Sequence, residues 1–493
     1  MLGLVAFSFI LALSLNLTLA FLVLVIFIDL AIFQKSFHLG WIFSLFIITT
    51  FPTVYLADNL ATLTEVITLV LALIGLINFL LDKQRIKIFP LFYYWSALVV
   101  WAVAVSALKG EFALGKEINQ VTFYQLVTVF SVYPLIIVSL QYFFQTLRRL
   151  ERFFLTISLI GVWQSFFGLM AMFFGWKFSN GIGFSKEIFG NVFSGKINGQ
   201  ITGFLGSNLF LQLGDNALAM LLLVTIPVTF GLWLLQREGL STLSLTLRFP
   251  ILEEGGLNKI VDSIFNDNSG GNDKVVDLKK VERQRIGRQW VFMLFLILQI
   301  GVLVLTFSYN SLIVLGVGIL VIGILLRNDG IIGTVLVLLL VFVIILPGLE
   351  PSLVTESKKH LLDIWYALKD NFSWQLLWRG AGGLSKDEGY NSYLIIFNKV
   401  GLLGLLIFLG GLRQYFAEIR RAYLKSDGFE RVWLIVILAI FVEFVILGLF
   451  NNLFFVGPGA LLFWLLYGVL QNLKYNQVEF RLTETRIKDL NIE

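Results

Sequence analysis

Residues 389–411 read GYNSYLIIFNKVGLLGLLIFLGG. A polar knot at Tyr390, Asn391 and Ser392 runs straight into an apolar pattern at helical spacing, with small residues at Gly401 and Gly404. A helix rises 1.5 Å per residue, so roughly 20 apolar residues cross about 30 Å of hydrocarbon. The stretch reaches that length once the knot is left outside. It predicts a membrane helix with a hydrogen-bonding mouth set on top of it.

The rest of the chain repeats the pattern. Of 493 residues, 58% are hydrophobic and only 14% charged, too little polar surface for a soluble chain of this size. In hydrocarbon every backbone polar group must be satisfied internally, which leaves helices or a closed barrel. The alternating ten-residue segments of a barrel are missing from the sequence. The expected fold is therefore all-α, a polytopic transmembrane bundle of about 12 to 14 helices with a helical extracytoplasmic loop. The 48 Phe and 12 Trp suit lipid contact and interfacial belts. With no Cys, and His only at positions 38 and 360, neither disulfides nor a clustered metal site is expected, and no cofactor is implied. The formal charge of +5 sits at helix ends, as orientation signals do, so nucleic acid is not an expected partner.

Loops rich in Lys and Arg belong in the cytoplasm, which places DKQRIK (82–87), QTLRRLERF (145–153) and RQYFAEIRRAYLK (413–425) inside. Between these anchors the apolar runs predict crossings near 41–56, 61–82, 90–108, 121–142, 153–176, 215–235, 289–307, 311–326, 330–348, 392–412, 432–450 and 458–473. Residues 4–33 fit one long span or, as we favour, two short ones. The domain plan is N-terminal helices over 1–235 with an outer loop at 177–214, a flexible cytoplasmic loop over 236–288, C-terminal helices over 289–473 with a large outer loop at 349–391, and a cytoplasmic tail over 474–493. The core of the cytoplasmic loop, NDNSGGND (266–273), is polar and turn-forming. In the large outer loop Leu361, Ile364, Trp365, Leu368 and Phe372 fall at helical spacing, an amphipathic helix suited to the membrane face. Thr355 can cap it, with Glu356 in its first turn.

The text IWYALKDNF (364–372), WRGAGG (378–383) and DEGYNSYLIIFNKVGLLGLL (387–406) resembles the O-antigen polymerase and ligase superfamily of bacterial envelope glycosyltransferases. That family pairs a Trp-bearing amphipathic helix with a Gly-rich turn, then a polar pair and Tyr-Leu leading into a glycine-containing helix. INGQITGFLGSNLFLQLGDNALAMLLLV (197–224) is similar to its glycine and polar segment before a helix, and LTFSYNSLIVLGVGIL (305–320) to its short outer turn. The similarity covers about residues 197–415. Gln200 and Tyr309 stand where the family often has Arg, Tyr390-Asn391 where it often has His-Asn, and no acidic residue stands near Lys399. These departures point to a polymerase before a ligase.

The resemblance implies transfer of a glycan from an undecaprenyl diphosphate carrier to an acceptor sugar hydroxyl at the outer face of the bacterial cytoplasmic membrane. The implied partners are the lipid-linked glycan and membrane lipid, with a flippase and a chain-length regulator as candidates. Such chemistry needs cations for the diphosphate, acceptor positioning and one base. Arg379, in a Gly-rich turn, suits bidentate phosphate contact, with Lys358, Lys359 and Lys196 as further cations; headgroup anchoring is the alternative for Arg379, and lipid-phosphate contact for Lys358 and Lys359. The base is left open among Asp387, Glu388 and His360, and the acidic pair also suits the dipole of the helix that follows. Tyr390, Asn391, Tyr393 and Trp365 offer rings and polar groups for sugars. Inside the membrane Glu443 and Glu65 are costly unless paired or facing a cavity, so both are candidates for a site or for structural pairing. A lipid-linked sugar flippase or a secondary transporter is the rival class; a transporter predicts inverted repeats with broken helices at the midplane.

Overall fold

The computed structural model describes residues 40–41, 44, 55–56, 61–81, 89–109, 129–143, 147–174, 176–179, 183–186, 216–238, 240–241, 278–306, 308–349, 392–450, 454 and 457–475. Nearly all of them are helical. The helices are α1 (Leu63–Leu81), α2 (Pro90–Lys109), α3 (Ile136–Phe143), α4 (Leu147–Phe174), α5 (Asn216–Arg237), α6 (Leu278–Leu305), α7 (Tyr309–Leu326), α8 (Asp329–Leu349), α9 (Ser392–Tyr423), α10 (Gly428–Leu447) and α11 (Gly457–Tyr475). Two short antiparallel ribbons break the all-helical pattern: β1 (Tyr55–Leu56) with β2 (Ala61–Thr62), and β3 (Trp176–Ser179) with β4 (Gly183–Lys186). The sequence between β3 and β4, Asn180-Gly181-Ile182, is rich in turn formers, which explains a hairpin at the start of the expected outer loop.

Among the described residues three helices are long and apolar enough to cross a membrane: α2, α5 and α9. Their surroundings differ. α5 is the hub, packed against α4, α6, α7, α10 and α11, and nearly every residue from Leu218 to Leu235 is buried. At the periphery α2, α6 and α8 expose Val100, Leu294, Ile297, Val337 and Leu340, an apolar rim of the kind that lipid covers. The core beneath is aromatic and close-packed: Phe154 of α4 stacks on Trp433 of α10 at 3.5 Å between centroids, and Gly231 of α5 makes room for Trp433 and Val436.

Helices outrun the apolar spans. α4 takes in the basic segment expected as a loop before residue 153, α9 continues through RQYFAEIRRAY to Tyr423, and α6 starts at Leu278, inside the segment expected to be a flexible loop. These are corrections, with a simple cause. Leu, Arg, Lys, Glu and Ala are good helix formers whether or not lipid surrounds them, so hydropathy marks the membrane and not the helix end.

Two helices are interrupted. The segment expected to cross at 121–142 holds a helical turn at residues 129–131, a 3-10 turn at Tyr133–Leu135 and then α3, with buried Pro134 supplying no N–H at the break. α9 is kinked at Gly401, whose φ of 73° and ψ of −174° lie outside the helical region and favour glycine. Each break frees carbonyls, and a neighbouring helix answers. At the breaks the Trp464 indole of α11 donates to Val129 O at 3.0 Å and the Trp101 indole of α2 to Val400 O at 2.8 Å, while in the last turn of α3 Asn472 Nδ2 donates to Leu140 O at 2.9 Å.

Candidate functional site

At the end of the bundle where α9 starts, its first residues are pinned to the far end of α10. Ser392 N–H donates to Gly448 O at 3.0 Å, and Phe454 N–H to Ser392 Oγ at 3.5 Å. The Tyr393 hydroxyl donates to Val445 O at 2.7 Å, so its proton goes inward and the ring, half-buried, is what remains for a ligand. Tyr393, Phe408 and Phe454 pack edge to face with centroids 5.3 to 6.4 Å apart. Behind Phe408 lie Trp95 and Phe130. The polar mouth therefore stands on a rigid aromatic floor. Gly410 and Gly411 face Tyr94 and Trp95 of α2, close approaches that a Cβ would crowd, and a Cβ at Gly404 would overlap the Val400 side chain of α9 itself. Gly401 has a different task, setting the kink.

The turn between α6 and α7 is polar. Thr306 Oγ1 donates to Leu303 O at 2.7 Å, Ser308 N–H to Thr306 Oγ1 at 3.4 Å, and Ser308 Oγ to Ser311 Oγ at 2.8 Å. Tyr309 starts α7. Seven residues after Ser311 on the same face comes Gly318, and a Cβ there would overlap the Glu443 carboxyl of α10. Glu443 is 1% exposed, and neither carboxyl oxygen has a hydrogen-bond partner among the described residues.

A second buried acid is differently equipped. Glu418 of α9, also 1% exposed, accepts from Gln414 Nε2 at 2.9 Å, from the Tyr467 hydroxyl at 3.2 Å and from Gln471 Nε2, with Lys474 Nζ at 3.9 Å. It ties α9 to α11. In the hub, Gln299 of α6 donates to Ser158 O of α4 at 3.1 Å and to Thr229 Oγ1 of α5 at 3.2 Å, while Thr225 Oγ1 donates to Gln299 Oε1 at 3.3 Å. Ser158 and Thr229 hydroxyls meet at 2.7 Å. Interhelical bonds of this kind contribute about 0.6 kcal/mol each, up to roughly 1.7. Both clusters read as structural joints.

Of the residues singled out in the sequence, Tyr393 and Glu443 are described with their side chains and lie at the same end of α10: Tyr393 touches Val445, two residues beyond Glu443. Glu65 is the third residue of α1, its side chain outside the described set. Lys196, Lys358, Lys359, His360, Trp365, Arg379, Asp387, Glu388, Tyr390 and Asn391 lie outside the described residues. Glu418 escaped the sequence reading because it sits within a basic run taken as a loop. Its signal was the buried helical stripe Tyr415, Glu418, Ala422. Compared with protein-family models and with curated proteins, the chain matches none.

Proposed function

We propose that this protein is a multi-pass glycosyltransferase of the bacterial cytoplasmic membrane that polymerises undecaprenyl-diphosphate-linked repeat units at the outer face, in the making of a surface polysaccharide. The observation that carries the reading is the order of motifs through residues 364–406, with a Trp-bearing amphipathic pattern, a Gly-rich turn at Arg379 and a polar pair entering a membrane helix. The rigid seat of α9 supports it: Ser392 and Tyr393, directly after the polar pair, are bonded to α10, so residues leading into them are delivered to a fixed place. In this reading Arg379, Lys358, Lys359 and Lys196 hold the diphosphate. Asp387, Glu388 or His360 takes the acceptor proton, and Tyr390, Asn391, Trp365 and the Tyr393 ring border the sugar. The cations stand in for a divalent metal, so chain growth on purified lipid-linked units persists in a chelator.

Two interrupted helices give the transporter reading its one specific support. Against it, Val129 O and Val400 O at the breaks already accept from Trp464 and Trp101 and are not held open for an ion. Deletion of the gene followed by size analysis of surface glycan decides. Loss of a polymerase leaves single repeat units, loss of a ligase leaves long carrier-linked chains, and loss of a flippase leaves the units at the inner face. Normal chain lengths in the deletion strain would reject the proposal.

A further inference from the structure

We propose that Glu443 is a proton-binding site set within the membrane, in the seam between α7 and α10. Along α10, Ile435, Ala439 and Glu443 recur every four residues and form one stripe. Ile322 of α7 packs against Ile435 and Ala439, and Gly318, one turn earlier on α7, lies against the Glu443 carboxyl. The stripe is apolar until the acid, and the facing helix gives up its side chain there to admit it. Glu443 lies four residues, about 6 Å, from the end of α10. The helical backbone of α7 beside it has its N–H groups engaged within the helix and offers no donor.

The contrast with Glu418 decides what the carboxyl holds. Both acids are 1% exposed. Glu418 is surrounded by two amides, a phenol and an ammonium, the company a carboxylate needs, whereas Glu443 has none among the described residues. An unpaired carboxylate away from water costs several kcal/mol, and a bound proton removes that cost. A metal ion would need several oxygen ligands, and the described residues hold no group of three acidic, His or Cys side chains.

Among the described residues no charged neighbour faces it. α7 is free of Asp, Glu, Lys, Arg and His from Asn310 to Leu326, and α5 from Asn216 to Gln236, with Arg237 at its end. On α10 itself Glu430 and Arg431 lie at least three turns away. α9 brings Tyr393, bonded to Val445, then Lys399, Arg413, Tyr415, Glu418, Arg420, Arg421 and Tyr423; α11 brings Tyr467 and Lys474, both on Glu418, and Tyr475. None of these bonds to the Glu443 oxygens. The inference stands apart from the polymerase reading, since it concerns only the state of this carboxyl.

The test uses full-length wild-type protein in lipid vesicles, treated with dicyclohexylcarbodiimide. The protonated carboxyl adds across one C=N bond: its oxygen bonds the central carbon, its proton moves to nitrogen, and the adduct rearranges to a stable N-acylurea. Peptide mapping should place the adduct on Glu443, and a water-soluble carbodiimide should leave Glu443 unmodified. Because the mapping uses the native chain, it does not depend on a variant folding. Infrared spectra supply the second reading: a carboxylic-acid carbonyl band present in wild type should be missing in Glu443→Gln. Recovery of Glu443 unmodified by the lipophilic reagent, or identical carbonyl bands in the two proteins, would overturn the proposal.

Discussion

Glu418 and Glu443 are one side chain with two different jobs, and the difference lies in their donors. Removing Glu418 strands the Tyr467 hydroxyl and the Gln471 amide in the interior and frees the half-buried Gln414 amide, and each buried donor left unmet costs about 1–3 kcal/mol. Glu418→Ala should therefore lower stability by about 3 kcal/mol and Glu418→Gln by much less, because the amide oxygen still accepts. Thermal unfolding in detergent checks the order; equal losses would mean that volume, not hydrogen bonding, matters at this position. At Arg379 the argument concerns geometry. If its guanidinium grips diphosphate through two parallel bonds, Arg379→Lys keeps the charge and loses the fork, and Arg379→Ala loses both. Polymer formation at matched membrane abundance should fall in that order. A headgroup anchor would behave otherwise, since Lys snorkels as well as Arg.

At the scale of the helix, the two breaks are held by single bonds from neighbours. Trp101→Phe keeps the ring and deletes the donor to Val400 O, so it should cost about 1–2 kcal/mol through an unsatisfied carbonyl in an apolar setting. Gly401→Ala meets the backbone directly, because a Cβ at φ 73° is strained by roughly 1–3 kcal/mol. Both losses are read from unfolding midpoints, and wild-type stability in both variants would mean that the kink is not held as described. The α7–α10 seam gives a cycle: Gly318→Ala should cost about 2 kcal/mol alone and under about 0.5 in a Glu443→Ala background, where the overlapped carboxyl is gone. These features also mark what the sequence conveys. The apolar runs near 90–108, 215–235 and 311–326 coincide with α2, α5 and α7 to within two residues, since chain pattern and lipid burial agree there. Gly401 was legible only as a small residue for packing, since the bond beside its kink joins Val400 to Trp101, 299 positions away in the chain. Pro134 stands in plain sight in the sequence, but the donor that makes its break tolerable, the Trp464 indole, comes from α11. Glu443 stood out as an acid in an apolar run; that Gly318 faces it is a fact of tertiary register.

At the scale of the molecule, α5 is a buried hub ringed by helices whose outer faces are apolar, an arrangement that makes sense with lipid outside. Which end of the bundle faces out follows from charge. The basic stretches at the start of α4, the end of α9 and the start of α6 gather Arg149, Arg152, Arg413, Arg420, Arg421, Lys279, Lys280, Arg283 and Arg285, and helix direction carries all three to one end. The α9 head, with Ser392 and Tyr393, lies at the other. By the positive-inside rule we propose that the basic end is cytoplasmic and that residues 349–391 lie outside. The Cys-free chain allows a direct check, because a single Cys at Ser269 or at Ser385 is the only thiol present. In intact cells an impermeant thiol reagent should label Ser385→Cys and not Ser269→Cys, and permeabilised cells should label both. The reverse pattern would turn the bundle over and carry Arg379 and the acidic pair to the cytoplasm, where outer-face polymerisation is impossible.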